Sequence, residues 1–238
     1  MKLIIWDLDC TLAYREGGKW SAPLLETIRQ AAPDTSITVE EIRPILQQGF
    51  PWHTPHIPHP HLRQADDWWD AIRPSLIQCC DIAGVQPELT PAVVTAFREV
   101  YTDAAMWRVY PDAFAVLHQL RLGGWTHTIL SNHVPELTEI IGRLGLLDYV
   151  DSVFNSADTG YEKPHPQAYR MVLDRYRDAE RVWMVGDNYE ADVAGPEEQG
   201  IPAILVRAQD PRARYVCSDL YDVLATLMRE TAASAPTP

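Results

Sequence analysis

The stretch of sequence that decides the fold lies at the start of the chain, residues 2–11, KLIIWDLDCT. Residues 2–6 form an apolar run, which is typical of a strand buried on both faces within a parallel sheet. Asp7 and Asp9 follow directly, so they predict two carboxylates at the strand exit that point into one cleft. One carboxylate can attack phosphorus while the other transfers a proton. Taken alone, the two acids are equally compatible with a capped turn.

Outward from this stretch, apolar runs alternate with segments of helical periodicity. The further runs are 126–130 (THTIL), 181–185 (RVWMV) and 202–206 (PAILV). A proline lies near the start of three helical segments and Gly200 ends the fourth; the segments are 112–122, 135–144, 165–176 and 190–199. This alternation predicts βαβ units, and hence an α/β fold with a Rossmann-like parallel sheet covered by helices on both faces.

Residues 15–107 interrupt the alternation. Helical periodicity predicts amphipathic helices there at 38–48, 64–82 and 90–106. Gly17 and Gly18 predict a short hairpin within residues 14–20, because two glycines suit a two-residue turn. The expected domains are a Rossmann-like catalytic core (1–14 and 108–230), a helical cap (15–107) and a flexible tail (231–238).

Polar residues follow the next predicted strand and occupy a later loop. Ser131 and Asn132 end the run 126–130, where a hydroxyl, an amide and helix-start N–H groups can bind phosphate oxygens. Lys163 lies in a loop stiffened by Pro164 and Pro166, and a lysine there can neutralise an attacking carboxylate. Alone, a Ser-Asn pair is more typical of a helix cap and a lysine more typical of surface charge.

Two more acids follow the run 181–185, in the sequence GDNYEAD of residues 186–192. Asp187 comes where the strand ends and Asp192 falls in the first turn of the next predicted helix. Carboxylate oxygens are the ligands that Mg²⁺ prefers, although the helix dipole alone also favours an acid at Asp192. Because the carboxyl ends of parallel strands meet at one edge of the sheet, we expect these groups to converge there.

The four features occur in the order strand-DxDxT, strand-Ser, Lys-Pro and strand-GDxxxxD. This order closely resembles the haloacid dehalogenase-like (HAD) hydrolase superfamily, in its phosphatase branch with an inserted helical cap. The resemblance covers roughly residues 1–14 and 108–210, and the insertion 15–107 matches the cap in position and size. It implies a magnesium-dependent phosphohydrolase that forms an aspartyl-phosphate intermediate.

The resemblance implies a role for each matched position. Asp7 is the expected nucleophile, Asp9 the general acid and then base, and Thr11 the hydroxyl that supports their loop. The expected phosphoryl- and substrate-binding residues are Ser131, Asn132 and Lys163. The expected Mg²⁺ ligands are Asp7, Asp187, Asp192 and, through its backbone carbonyl, Asp9. Cys10 stands where the family often has glycine, and a thiol beside two carboxylates is not expected to be reactive.

Three other functions remain open at this point. A phosphomutase of the same family shares every motif and differs mainly in protecting its aspartyl-phosphate from water. A 2-haloacid dehalogenase shares cap and core but lacks the second aspartate, which this chain has at Asp9. A non-catalytic binding protein on this fold has no need of all the motif residues together.

The bulk composition restricts the partners. A formal net charge of -13 argues against nucleic acid and anionic membranes, which require a basic face. A phosphorylated small molecule remains compatible, since a metal or a buried cation reverses the local field. The four cysteines form neither a CxxC pair nor a disulfide framework, which indicates a reducing compartment. We expect a cytoplasmic monomer or homodimer that acts on a small phosphorylated metabolite.

A proline- and histidine-rich loop, 51–61 (PWHTPHIPHPH), lies in the middle of the predicted cap. Its histidines suggest a metal cluster, but their spacing fits no regular element and the loop itself contains no cysteine or carboxylate. We favour a stiff loop that lines or covers the active site. Trp52 on this loop is compatible with either packing or ligand stacking.

Overall fold

Strands and helices alternate along most of the chain in a computed structural model that describes residues 1–233. The helices and strands are β1 (Lys2–Trp6), β2 (Ala13–Arg15), α1 (Ser21–Ala31), α2 (Val39–Leu46), α3 (Ala65–Ile82), α4 (Thr90–Thr102), β3 (Trp107–Val109), α5 (Ala113–Leu122), β4 (Trp125–Ser131), α6 (Leu137–Arg143), β5 (Ser152–Asn155), α7 (Ser156–Thr159), α8 (Pro166–Arg175), β6 (Arg181–Gly186), α9 (Gly195–Glu197), β7 (Ala203–Val206), β8 (Val216–Cys217) and α10 (Leu220–Ala233). None of these helices is long and apolar enough to cross a membrane.

Six parallel strands form the central sheet, in the order β5-β4-β1-β6-β7-β8. β1 lies in the middle because its side chains are apolar on both faces: Ile4 and Trp6 pack into one hydrophobic cluster, Leu3 and Ile5 into another. The parallel α/β fold predicted from the sequence is therefore confirmed. This arrangement brings the carboxyl ends of β1, β4 and β6 side by side.

The segment between β2 and β3 contains four helices, α1 to α4. β2 and β3 pair antiparallel, with Ala13 opposite Val109 and Arg15 opposite Trp107, so a two-stranded ribbon joins both ends of the helical segment to the core. The hairpin predicted within residues 14–20 is wrong, because the hydrogen bonds of this stretch go to a distant strand. The buried Arg15 guanidinium also donates to the Val100 and Gly18 carbonyls.

Two other predicted segments differ in the structure. Residues 189–194 form a π-helical turn, followed by the short α9, in place of the regular helix predicted at 190–199. Pro196 has no N–H to donate to the carbonyl four residues earlier, which removes one α-helical hydrogen bond directly after this turn. The predicted tail begins too early, since residues 231–233 continue α10; its remaining residues lie outside the described part of the chain.

Candidate active site

Asp7 lies at the carboxyl end of β1, where its backbone N–H donates to the Val185 carbonyl over 2.9 Å. Its side chain is nearly buried, and its Oδ1 accepts hydrogen bonds from Ser131 Oγ at 3.1 Å and Lys163 Nζ at 2.8 Å. The structure thus brings Asp7 together with two residues that lie 124 and 156 positions away from it in the sequence. Both donors bind the same oxygen and hold the carboxylate in one orientation.

Asp9 lies beyond Asp7 in a tight loop, closed by a hydrogen bond from the Cys10 N–H to the Ala13 carbonyl over 2.7 Å. Cys10 adopts φ 60°, a left-handed conformation that favours glycine. Burial raises the pKa of the Cys10 thiol, which disfavours a reactive thiolate. Within the described residues, Asp9 Oδ1 and Thr11 Oγ1 are buried without a hydrogen-bond partner. Asp9 lines the cavity described below, and its Oδ1 keeps an unused acceptor capacity.

Lys163 lies between two carboxylates. Besides Asp7 Oδ1, its Nζ donates to Asp192 Oδ1 at 2.6 Å, and the lysine is almost fully buried. Burial lowers the pKa of Lys163, but the Asp192 and Asp7 carboxylates outweigh this effect, so the pKa lies above its ordinary value. The ammonium therefore stays charged and offsets part of the negative charge around Asp7.

Asn132 holds Lys163 in place through the lysine backbone. Its Nδ2 donates to the Lys163 carbonyl at 2.8 Å, and its Oδ1 accepts from the Lys163 N–H at 2.7 Å. The amide also lines the cavity described below, so the predicted contact with substrate stays a prediction. The sequence did not indicate this positioning role of Asn132, because a hydrogen bond to backbone atoms 31 positions away leaves no pattern in the sequence.

Asp7, Asp187 and Asp192 form a cluster in which one oxygen of each lies within 4.8 Å of the others. The Asp192 side chain packs directly over Gly186. A Cβ on residue 186 would clash with the Asp192 carboxylate carbon, so residue 186 has to be glycine. Burial, followed by repulsion from Asp7 and Asp192, raises the pKa of Asp187 to about 7. Burial is also the main cause that raises the pKa of Asp192, to about 6.

The cluster fits a hard divalent cation. Octahedral Mg²⁺ ligands about 2.1 Å from the metal lie up to about 4.2 Å apart, so small shifts of the three carboxylates would bring them into range. The cluster also carries more negative charge than Lys163 offsets, and repulsion from Asp7 adds to burial in raising the pKa values of Asp187 and Asp192. Asp9 is not among these side chains, so its expected backbone contact stays a prediction.

A cavity of about 650 Å³ opens above the cluster. Core residues form its floor, and residues from the helical segment form the opposite wall, among them Lys19, Trp20, Trp52 and Tyr101. His133, next to the predicted Ser131-Asn132 pair, also lines it. Sequence reasoning missed Lys19 and Tyr101, since only the tertiary arrangement of the helical segment brings them to this edge of the sheet. It also missed His133, which its position directly after Ser131 and Asn132 could have indicated.

The histidine-rich loop 51–61 contributes Trp52 and Pro55 to the cavity wall. His59 is buried, and its Nε2 lies 3.0 Å from Oε1 of Glu162, which is buried as well. The loop contains no carboxylate of its own, and the carboxylate beside His59 comes from Glu162 of the core. Across residues 1–233, the group with metal-ligating geometry is the aspartate cluster, and the loop histidines are not part of it.

Comparison with curated proteins identifies relatives along most of the chain. The human haloacid dehalogenase-like hydrolase domain-containing protein 3 is 30% identical over 229 residues, which cover 90% of this chain and 86% of that protein. A phosphoserine phosphatase from Thermus thermophilus is 34% identical over 138 residues, which cover 55% of this chain and 54% of the phosphatase. Similarity therefore extends over core and helical segment alike.

Solved structures share the fold at low sequence identity. YfnB from Bacillus subtilis, bound to magnesium, has a TM-score of 0.73 at 16% identity, covering 95% of this chain and 98% of that one. The L-2-haloacid dehalogenase from Xanthobacter autotrophicus has a TM-score of 0.69 at 19% identity, covering 96% and 99%. Residues 1–200 match the haloacid dehalogenase-like hydrolase family. The chain, an α/β protein with its acids at the carboxyl edge of the sheet, belongs to that family of hydrolases.

Proposed function

We propose that the chain is a magnesium-dependent phosphohydrolase that acts on a small phosphorylated metabolite through an aspartyl-phosphate on Asp7. The observation that carries the proposal is the pair of donors, Ser131 and Lys163, on Asp7 Oδ1 beside the aspartate cluster. A phosphoserine phosphatase among the relatives supports the phosphohydrolase assignment.

The residues supply the steps of phosphoryl transfer. With Oδ1 held by Ser131 and Lys163, Asp7 attacks through Oδ2, forming an O–P bond as the ester P–O bond breaks. Asp9 donates its proton to the departing oxygen, which leaves as an alcohol. Asp9 then takes a proton from water, whose oxygen attacks phosphorus, and the bond to Asp7 breaks to release phosphate. Lys163 and Ser131 neutralise and orient the phosphoryl oxygens throughout.

Asp7, Asp187 and Asp192 are the residues that would hold Mg²⁺, which supplies neutralisation of the phosphate charge when bound. The helical segment is proposed to act as a cap that excludes bulk water and large substrates from the cavity. A dehalogenase remains the weaker candidate, because likeness to a haloacid dehalogenase at 19% identity shows the fold alone and because the Asp9 carboxylate suits proton transfer to a leaving oxygen.

Hydrolysis of p-nitrophenyl phosphate tests the proposal. We expect turnover that requires Mg²⁺, stops with EDTA and falls by about 1,000-fold or more in Asp7→Asn, which lacks the nucleophile. Asp34→Asn makes the same chemical change at an exposed site and should retain full activity. Turnover that survives in Asp7→Asn would contradict the mechanism. Chloride release from 2-chloropropionate without ester hydrolysis would identify a dehalogenase.

A further inference from the structure

Lys19 places a positive charge on the cavity wall opposite the catalytic lysine. Its Nζ lies 3.7 Å from Asp9 Oδ2, beyond hydrogen-bond distance, and 44% of the side chain is exposed. Lys163 is committed to Asp7 and Asp192 at 2.8 and 2.6 Å. Among the cavity-lining residues that the structure describes, these two lysines are the permanently charged cations. Lys19 makes one longer ion pair, with Asp9, so it is the less committed of the two lysines and the one that an anion other than the phosphoryl group can engage.

The backbone next to Lys19 is held rigidly. Trp20 adopts φ 25°, a conformation that is strained for a bulky side chain and persists only when packing enforces it. Its indole stacks on Tyr101 with ring centroids 4.0 Å apart and contacts Phe50 at 4.4 Å. Strain of this kind is concentrated at ligand-binding sites, and here it fixes the point from which Lys19 reaches into the cavity.

A second polar group on the cavity lining has no partner. His133 is 2% exposed, and its Nε2 makes no hydrogen bond within residues 1–233. Its Nδ1 lies 3.4 Å from the Val134 carbonyl, so an N–H there leaves Nε2 as an acceptor. Burial lowers the pKa of His133 and favours the neutral ring. A buried acceptor without a partner is costly, which points to a hydroxyl or amino group on the bound molecule.

We propose that Lys19 is a specificity-determining residue that selects phosphate esters whose leaving group carries a second anion, either a carboxylate or a second phosphate. The inference rests on the proposed function and names its substrate class. The Lys19 ammonium would form a charge-assisted contact with that anion, while the half-buried Trp52 and Pro55 pack against its carbon skeleton.

The alternative role for Lys19 is electrostatic, through its neighbour Asp9. In that case its removal would change the turnover of all esters by the same factor, because Asp9 protonates every leaving group. Specificity for a second anion predicts an unequal effect. The ratio of kcat/KM between two esters that differ only in that anion therefore separates the two roles.

The experiment uses two matched pairs of esters on the full chain with Mg²⁺: 3-phosphoglycerate against glycerol 3-phosphate, and glucose 1,6-bisphosphate against glucose 6-phosphate. We expect the wild type to favour the doubly anionic member of at least one pair by about tenfold or more. Lys19→Met should lower that ratio by about 10- to 100-fold, the usual range for losing a hydrogen bond to a charged group. The pair that responds identifies carboxylate or phosphate as the second anion.

Two variants serve as controls. Lys19→Arg keeps the charge, so it should still favour the same ester of each pair as the wild type, with a smaller kcat/KM ratio. Lys2→Met removes a lysine outside the cavity lining and should leave both ratios unchanged. A wild type without preference in either pair, or a Lys19→Met variant with unchanged ratios, would overturn the inference while leaving the phosphohydrolase intact. Failure of the wild type to hydrolyse any ester would overturn the proposed function itself.

Discussion

A single half-buried carboxylate, Asp187, is expected to couple metal binding to pH. Its pKa of about 7 lies above the ordinary aspartate value because of burial and repulsion from Asp7 and Asp192. A carboxyl group whose pKa is raised on folding stabilises the metal-free folded state at low pH. This contribution to the free energy of unfolding is lost as pH rises through about 7. Since Mg²⁺ binds the carboxylate, proton and metal compete. We expect the Mg²⁺ affinity, measured by calorimetry, to tighten by about tenfold between about pH 6 and pH 8.

Asp187→Asn provides the control for this prediction. The amide imitates the protonated carboxyl, so the metal-free variant should be more stable than the wild type near pH 8, and this difference should shrink as pH falls to about 5. Chemical denaturation with EDTA present measures the free energy of unfolding of the variant and of the wild type at each pH. If the stability difference between variant and wild type were the same at the two pH values, Asp187 would not carry the raised pKa. A Mg²⁺ affinity independent of pH would lead to the same conclusion.

The individual residues of the site differ in how far sequence reveals them. Asp7, Ser131 and Asp187 each end an apolar run, so parallel-sheet topology alone brings them to one edge. Lys163 could be identified only from its order among the motifs, because the loop that contains it does not directly follow a central strand. His133 could have been found from its position directly after Ser131 and Asn132. Lys19 had no such signal, and its neighbour Trp20 packs against Phe50 and Tyr101, which lie far along the chain.

At the scale of elements, β1 and β4 are joined by a buried side-chain contact besides their backbone ladder. Trp6 Nε1 donates to His127 Nδ1 at 3.0 Å, and His127 Nε2 lies 3.1 Å from the Leu117 carbonyl. The ring is therefore neutral with its proton on Nε2. Burial, with a smaller contribution from Arg121, lowers the pKa of His127 to about 4.

We expect His127 to make the protein sensitive to acid. Its pKa in the folded protein lies below the unfolded value of 6.5. The neutral ring therefore contributes about 3 kcal/mol to the free energy of unfolding above about pH 6.5, and this contribution is lost as pH falls toward 4. In His127→Asn the slope of unfolding free energy against pH should flatten in this window. His118→Asn, at an exposed position, should keep the wild-type slope. Equal slopes for all three proteins would contradict the assignment.

The histidine-rich loop is anchored on the core at Gly160. The His59 N–H donates to the Gly160 carbonyl at 2.9 Å, and Gly160 adopts φ 80°. A Cβ there would lie 2.7 Å from Pro60 Cα, a contact with backbone that side-chain rotation cannot relieve. The loop and the turn before Lys163 therefore fit together only if this residue is glycine.

Gly160→Ala should accordingly cost about 2–3 kcal/mol of unfolding free energy, from the left-handed conformation together with the backbone clash. Gly145→Ala is the matched control, because its φ is 75° and no atom lies within 4 Å of its Cβ position. It should cost only about 1 kcal/mol. Denaturant titration of both variants measures the difference. Equal losses would mean that the loop moves away from Gly160 without cost.

Among the elements, predictions succeeded where one periodicity was dominant. The apolar runs of β1, β4, β6 and β7 and the helical spacing of α5 and α8 required no knowledge of their partners. The ribbon of β2 and β3 pairs residues about 90 positions apart, and local turn chemistry at Gly17 and Gly18 predicted a hairpin in its place. The π-helical turn spans only six residues, too few for apolar periodicity to distinguish it from an α-helix.

At the scale of the whole molecule, the alternation of strands and helices predicted the core, and the break in that alternation predicted an inserted helical segment. The cavity depends on how the two meet. Its wall combines Asp7 and Lys163 from the core with Trp20, Trp52 and Tyr101 from the helical segment. Sequence patterns predict the composition of each part but carry no information on their relative placement, so the cavity volume and the lining residues became known only from the structure.

A cavity of about 650 Å³ shared between the two parts limits the size of the substrate. We expect kcat/KM for O-phosphoserine to exceed that for a phosphoserine peptide extended on both sides by about 100-fold or more, because the chain on either side of the phosphoserine would meet Trp52 and Tyr101 before phosphorus reaches Asp7. A nonspecific phosphatase that hydrolyses both compounds shows that the peptide is a competent substrate. Equal values for the two would mean that the helical segment leaves the aspartates open to macromolecules, and the small-metabolite assignment would then be wrong.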